Sequence, residues 1–398
     1  MTALFKSFIS TSSRKSTSAA PTKRLSAATR ATTPSVVVRR LPPTSPTTPV
    51  SGRVVVLGCG GSGKTTLFRQ MSAQSWTSLD LQSMTTVIHG IIAIAIKTLV
   101  SGAARLHAQR PDLGTAIMSG TPVARSANYV MTQLRDDDVL GSRAARHIAR
   151  LWADPAIRRT FDLRVRFGIN VPDSTPYFLS RIGAIADPSY VPSSQDCLYG
   201  VVRSTGIQES TMPTSFGSVV QIIDVGGRRH ERRKWSKVMH DVLAVVYVVS
   251  IGDFDAVCEE DGVTNRLMES LAVFEHIART QPVPIVLVLT KTDQLQAALN
   301  RTRVTDLFPS YHGDPRDVNR AVAFFKALFL SKITRPGPIC QHCTVLQCNA
   351  TDRQSTAASV RTIRDIVDRQ VAIRNENAAL SRSSSSSSRA WRPSSRGA

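Results

Sequence analysis

The sequence predicts an α/β fold, a parallel sheet covered by helices and interrupted by a long all-helical insertion. Three observations predict it. A short β-branched apolar run at 53–57 leads through a glycine-rich stretch into a helix start. From 76 to 196, apolar residues recur at three- and four-residue spacing, the period of a buried helix face, and strand-like runs are nearly absent. From 218 onward, strand-like and helix-like runs alternate, as they do where crossover helices join parallel strands.

Taken in chain order, residues 1–52 are rich in Ser, Thr, Ala, Pro and Arg and carry no hydrophobic period, so a disordered tail is expected there. Arg53-Val54-Val55-Val56-Leu57 reads as a buried strand, and Thr66-Leu67-Phe68-Arg69-Gln70-Met71 as the start of a helix. Within the insertion, 84–99 and 144–152 read as helices, and Pro155, Pro172, Pro176, Pro188 and Pro192 punctuate its later helices. Strands are expected at 219–223, 244–250, 285–289 and 344–347, and helices at 266–279, 318–329 and 359–380. The serine tract 383–388 opens a low-complexity end. The expected division is a tail at 1–52, a sheet domain at 53–75 and 197–380, a helical domain at 76–196, and a second tail at 381–398.

Composition narrows the class. The chain has 398 residues, 42% of them hydrophobic, enough for two domains or one domain with a large insertion. Thirteen of its 21 net positive charges lie in two acid-free stretches, 1–53 and 381–398. The basic character therefore belongs to the tails more than to the body, and no nucleic-acid partner is expected. Solvated tails are the plain reading, and peripheral contact with an anionic membrane surface is the sharper one. No apolar run reaches the ~18–20 residues that cross a bilayer, so no span is expected. Six scattered cysteines without a secretory signal fit a reducing compartment. Cys340 and Cys343 hold only half the pattern of a zinc site, so none is expected. The Arg- and Ser-rich start also has the composition of a mitochondrial transit peptide, the minority alternative for its address.

The chemistry lies in four motifs. Gly58-Cys59-Gly60-Gly61-Ser62-Gly63-Lys64-Thr65, with a strand before it and a helix after, is a P-loop in its required setting. Its glycines let backbone N–H groups turn toward phosphate oxygens. Lys64 supplies a point charge for the terminal phosphates, and Thr65 a hydroxyl for Mg²⁺. The helix start, with Thr66, adds a partial positive charge. A strand ending at Asp224, followed by Val225-Gly226-Gly227, places a carboxylate where Mg²⁺ is organised and an unobstructed backbone N–H at Gly227. Thr290-Lys291-Thr292-Asp293 comes after a third strand. Asp293 can accept two N–H bonds from guanine N1 and N2, and the Lys291 stem can lie along the base. In Cys348-Asn349-Ala350-Thr351-Asp352, backbone N–H groups around Ala350 can meet guanine O6. Together the last two favour guanine over adenine.

With these motifs in place, the chain from about 53 to 380 resembles heterotrimeric G-protein alpha subunits. Further matches are Leu151-Trp152, Asp173-Ser174-Thr175-Pro176-Tyr177, Tyr190-Val191-Pro192 and Gln195-Asp196, then Ser204-Thr205-Gly206-Ile207, which resembles switch I. Arg229 and Glu231-Arg232-Arg233-Lys234-Trp235 resemble switch II, and Asn265-Arg266, Glu269-Ser270 and Phe274 the next helix. The resemblance implies a Ras-like P-loop GTPase domain with an inserted all-helical domain, binding GTP or GDP with Mg²⁺. It places Thr65 and Ser204 on the metal with Asp224 behind them, and adds Ser174 and Leu198 to the nucleotide contacts. It implies beta–gamma subunits, a receptor and an effector as partners. It also implies an intracellular address, in the cytoplasm or at the cytoplasmic face of the plasma membrane.

Departures fall on catalytic positions. The glutamine that orients water in the family is here Arg228, which has donors and no acceptor. Counting back without gaps, the switch I arginine is Val201, and the metal-binding threonine is Ser204. The acidic loop residue is Gly61, and the guanine motif opens on Thr290 in place of Asn. Lys64, Gly227 and Arg228 are the candidate catalytic groups, and slow turnover is expected. Arg228 or Arg203 swinging inward, or an arginine from a partner, are the routes by which charge could be restored. Two functions stand: a guanine-nucleotide switch with weak GTPase chemistry, and a non-catalytic GTP-binding interaction protein.

Overall fold

The computed structural model describes residues 49–72, 78–200, 206–333 and 343–387. One six-stranded sheet carries the site, in the order β2-β3-β1-β4-β5-β6. Its strands are β1 Val50–Leu57, β2 Ile207–Pro213, β3 Val219–Val225, β4 Val242–Ser250, β5 Ile285–Thr290 and β6 Cys343–Cys348. Neighbours run parallel except β2, which is antiparallel to β3. Because β1 lies between β3 and β4, the sheet reverses its strand order there. The end of β1 is thus a topological switch point, where α/β sheets open a ligand crevice.

Six helices matter most: α1 Lys64–Met71, α2 Ser78–Gln109, α3 Arg266–Thr280, α4 Thr292–Arg301, α5 Val318–Leu330 and α6 Arg353–Ser387. Strand periodicity divides the packing between them. Val54 and Val56 point to the face covered by α1 and α6, where they meet Leu67, Phe68, Met71, Ile363 and Val367. Val55 and Leu57 point the other way, into a core with Tyr247, Phe274, Phe325 and Phe329. A separate core fills the insertion, built on Ile88, Ile92, Ile96 and Leu99 of α2 with Val130, Ile148, Leu151, Trp152 and Phe178.

Several expectations need correction. β1 begins at Val50, not 53, and Val50 is already in register with Val219. β2 and α4 were not expected. Only Ser210 and Met212 of β2 are buried, so an edge strand of polar residues gives no apolar alternation to read. The short helix Ser194–Tyr199 runs across the expected 196/197 boundary, and Cys197 belongs to the helical core. α6 continues seven residues past 380, through most of the serine tract. Extending an existing helix needs no new nucleus, so serine's modest propensity suffices. Finally, residues Asp80–Gln109 are long and apolar enough by composition to cross a membrane, although no such run was expected. Here that helix is the spine of the helical core, with Ile88, Ile92, Ile96 and Leu99 fully buried.

Candidate functional site

The loops after β1, β3, β4, β5 and β6 converge at one edge of the sheet, because parallel strands all end on the same side. The loop 58–65 is held in a conformation that only glycines adopt freely. Gly58, Gly61 and Gly63 have φ of 142°, 75° and 93°. A Cβ at Gly58 would lie 2.2 Å from the Val248 carbonyl oxygen. Gly227 approaches from β3 just as closely: its Cβ would lie 2.1 Å from Gly58 O and 2.4 Å from Lys64 Nζ. Strand β3 therefore delivers bare backbone onto the loop and its lysine.

Lys64 is 5% exposed and donates to Cys59 O at 2.7 Å. Burial pulls its ammonium below the ordinary lysine pKa, and the Asp224 carboxylate offsets this only in part. Thr65 Oγ1 donates to Asp224 Oδ2 at 2.6 Å, and Asp224 is fully buried. Ser62 is buried too, and its hydroxyl has no hydrogen-bond partner among the described residues. Such an orphaned hydroxyl, beside a cradle that a Cβ would fill, is what an absent polar ligand leaves behind.

The donor set suits a hard cation. Among the described residues no three His, Cys, Asp or Glu side chains cluster as metal ligands. One hydroxyl and one carboxylate remain at Thr65 and Asp224, which fits Mg²⁺, an ion that keeps waters and phosphate oxygens in its shell. Ser204, Val201 and Arg203 lie outside the described residues.

The segment after Gly227, which resembles switch II, is tied down by ion pairs. The Arg228 guanidinium pairs with Glu259, while its stem runs beside Gly60, where a Cβ would lie 3.3 Å from Arg228 Cγ. Arg229 pairs with Asp261 at 2.7 Å and also with Glu269. Arg232 turns inward to Glu269 and to Gly227 O, the latter at 3.0 Å. Trp235 is 2% exposed and donates Nε1–H to Gly226 O at 3.0 Å, so it is a core residue.

The β5 end is built differently from its sequence reading. Thr290 is fully buried, and its hydroxyl lies 2.7 Å from Ser62 O and 3.1 Å from Val249 O. It fastens β5 to the phosphate loop. Lys291 Nζ donates to Asp173 Oδ2 at 2.7 Å and Asp253 Oδ2 at 2.6 Å. Burial acts to lower its pKa, but the two carboxylates outweigh that and hold it above the ordinary value. Asp293 is exposed at the start of α4. Ala350 is buried, with its carbonyl accepting from Gln70 Nε2 at 3.2 Å, and it faces Gly63 across the loop. Ser174 is buried in the insertion next to Asp173, and Leu198 is buried on the short helix Ser194–Tyr199. Cys59, Gly60, Gly61 and Thr66 complete the cradle.

Asp253 escapes the sequence reading, and Arg266 and Glu269 are matched there to the family's next helix without a role. Asp253 is a hub, accepting from Ser250 Oγ at 2.9 Å as well as from Lys291 and Arg266. Arg266 sets its guanidinium against Gly61, where a Cβ would lie 3.2 Å from Nη1. Glu269 gathers Arg229 and Arg232. Glu269 sits one helical turn after Arg266, a spacing that could have flagged the pair.

The comparisons with known proteins decide the family. A model of the G-protein alpha subunit family matches residues 39–367. The chain belongs to the G-protein alpha subunit family. It is 30% identical over 328 residues to the guanine nucleotide-binding protein alpha-2 subunit of Dictyostelium discoideum, covering 79% of this chain and 88% of that protein. It is 30% identical to the alpha-17 subunit of Caenorhabditis briggsae, covering 70% and 77%. It is 29% identical to subunit alpha-15 of Mus musculus, covering 79% and 86%. As a G-protein alpha subunit, it is a guanine-nucleotide-binding signal transducer with a Ras-like domain and a helical insertion.

Proposed function

We propose that this alpha subunit binds GTP and GDP with Mg²⁺ at loop 58–65 and acts as a slowly hydrolysing switch. The observation that carries the reading is the contact of Gly227 with Lys64 and Gly58, beside the Thr65–Asp224 hydrogen bond. A terminal phosphate seated on the loop would meet Lys64 and the Gly227 N–H together, so its presence or absence bears directly on switch II. Thr65 and Asp224, with Ser204, would hold Mg²⁺, which supplies charge neutralisation to the phosphates. Asp293 and the Ala350 backbone would select guanine.

Hydrolysis requires a water in line with the γ-phosphorus, and a group to orient it. Arg228 occupies the orienting position with donors only, and Glu259 already engages it. Val201 offers no charge. Both features support slow turnover, and the Arg228–Glu259 pair equally favours a non-catalytic GTP-binding interaction protein. Beta–gamma subunits, a receptor and an effector are the partner classes proposed for a member of this family. The exposed Arg233 and Lys237 are the switch II cations available to them, whereas Trp235 is not. The basic tails would favour the cytoplasmic face of a membrane.

Nucleotide identification and single-turnover hydrolysis on one preparation test this. GDP after purification and slow release of phosphate from loaded GTP support the switch. GTP retained unchanged supports the non-catalytic reading. No guanine nucleotide, or displacement of labelled GTP by ATP, would sink both.

A further inference from the structure

The phosphate loop has glycine at four of the six positions 58–63, and these glycines are not walled alike. The sheet and its loops cover two of them. A Cβ at Gly58 would strike the Val248 carbonyl oxygen at 2.2 Å, and one at Gly63 would touch Thr290 Oγ1 at 3.6 Å and Ala350 Cβ at 3.8 Å. The sheet does not reach Gly60 or Gly61. Among the described residues, and apart from the adjoining ones, the only atom within 4 Å of a Cβ at Gly60 is Arg228 Cγ, at 3.3 Å. At Gly61 the only ones are Arg266 Nη1 and Cζ, at 3.2 and 3.8 Å. Two arginine side chains are therefore the outer wall of the loop at these positions.

Both arginines are fastened to one segment, 253–259. Arg266 Nη1 donates to Asp253 Oδ2 at 3.3 Å, and Nη2 to Val257 O at 3.4 Å. Asp253 is itself fixed. Its side chain is 5% exposed, and it also accepts from Lys291 Nζ and from Oγ of Ser250, the last residue of β4. Arg228 is held by Glu259. A loop rich in glycine is soft, and ordering it around a ligand costs free energy. Side chains that already hold its shape lower that cost. We propose that Arg228 and Arg266 are positioning residues: anchored by Glu259 and Asp253, they brace Gly60 and Gly61 and preset the loop for nucleotide phosphates. This rests on the reading that the loop binds GTP and GDP. It gives Arg228 a task that its lack of an acceptor does not bar, since a brace needs bulk and an anchor. It also ties two features together. A side chain at 61 would crowd Nη1, so glycine there is what admits Arg266 so close to the backbone. The positive charge of both arginines acts in the same sense, because the loop they back holds an anion.

The test uses the full chain loaded with GDP and Mg²⁺, and two variants that cut different anchors. Glu259→Gln keeps the shape at 259 and loses the charge that holds Arg228. The side chains of that pair are 33% and 35% exposed, so this variant should fold. Arg266→Gln leaves Asp253 its bonds from Lys291 and Ser250. Hydrogen exchange read by mass spectrometry should be about three- to tenfold faster across 58–65 in each variant, the equivalent of ordering one or two side chains. Exchange across 290–293 should keep the parent's rate. Release of a fluorescent GDP analogue should quicken by a similar factor. Arg266→Lys, which keeps a cation for Asp253, should fall between the parent and Arg266→Gln. Loop exchange at the parent's rate in both variants overturns the proposal. So does exchange quickened equally across 58–65 and 290–293, which would be a general loosening. A parent that holds GDP, with variants that match it, overturns the brace alone. A parent that holds no guanine nucleotide overturns the functional reading and the brace with it.

Discussion

Thr65 Oγ1 donates a 2.6 Å hydrogen bond to Asp224 Oδ2, across 159 residues of sequence. It joins the first turn of α1 to β3, one strand over, and sets a hydroxyl and a carboxylate side by side. An Asp224→Asn chain keeps the shape and loses the charge. A hydrogen bond to a charged group contributes about 1.5–3 kcal/mol, so affinity for a fluorescent GTP analogue should fall roughly ten- to a hundredfold with Mg²⁺ present. In EDTA the two chains should differ far less. Equal losses in both buffers would show that Asp224 does not act through the metal.

Arg228 is engaged by Glu259, which keeps its guanidinium from serving as a free cation beside the phosphate loop. Two substitutions separate its possible roles. Arg228→Gln combined with Val201→Arg should raise single-turnover hydrolysis. A positioned arginine is worth roughly 10³–10⁵ in rate among GTPases of this kind, a general value rather than one obtained for this chain. Glu259→Ala alone should leave the rate low. A rise with Glu259→Ala would instead identify Arg228 as a self-supplied catalytic arginine.

The range of the forces involved decided how much of this was legible in sequence. The 58–65 loop declared itself because strand, glycines and helix all lie between Val50 and Met71, and each shapes its neighbour. The sheet strands declared themselves because burial on both faces leaves uninterrupted apolar runs. β2 did not, since an edge strand of Ile207, Gln208, Glu209 and Ser210 has little to bury. Asp253, and the role of Glu269 beyond its family match, were not legible for another reason. A lone acidic residue reads as solvated until folding brings Lys291, 38 residues away, or Arg232, 37 away, to within bonding distance. Thr290 stands in the guanine motif where the family has Asn, and only the fold shows its hydroxyl turned back to Ser62 O.

Asp173 bridges the insertion to the guanine loop through Lys291, and Arg164 holds it at 2.8 Å from its own side. Burial works to raise the Asp173 pKa, but Lys291 and Arg164 outweigh it and keep the carboxyl well below its usual range. It therefore stays charged at neutral pH. Lys291 retains Asp253 when Asp173 is removed, so Asp173→Ala should fold. What it loses is a latch between the two halves of the cleft. GDP release should speed up several-fold, on the order of the 1 kcal/mol that a partly buried pair contributes. Release of labelled GDP into excess unlabelled nucleotide measures it. An unchanged rate would mean that Gln195 Nε2 to Thr351 O, at 2.7 Å, suffices to hold the halves together.

The helical core contains a proton-sensitive point at His89, which is 4% exposed on α2. Leu140 N donates to its Nδ1 at 3.2 Å, and its Nε2 faces Ile185 O at 3.2 Å. These partners suit the neutral ring protonated on Nε2, because a second proton on Nδ1 would meet the Leu140 N–H. Burial accordingly pulls the His89 pKa below the ordinary value, although the Ile185 carbonyl opposes it. Linkage sets the sign. Below about pH 6.5 the unfolded ring takes up a proton that the folded ring resists, so the unfolded state binds more protons and stability rises with pH. The contribution is complete above that value and is lost as pH falls toward the depressed folded pKa. Thermal unfolding monitored by circular dichroism should therefore give a lower midpoint at pH 5.5 than at pH 7.5. A His89→Gln chain, less stable at pH 7.5, should show a smaller drop over the same interval. Equal drops in the two chains would assign the acid sensitivity to other groups, His147 or His276, whose pKa values are also lowered by burial.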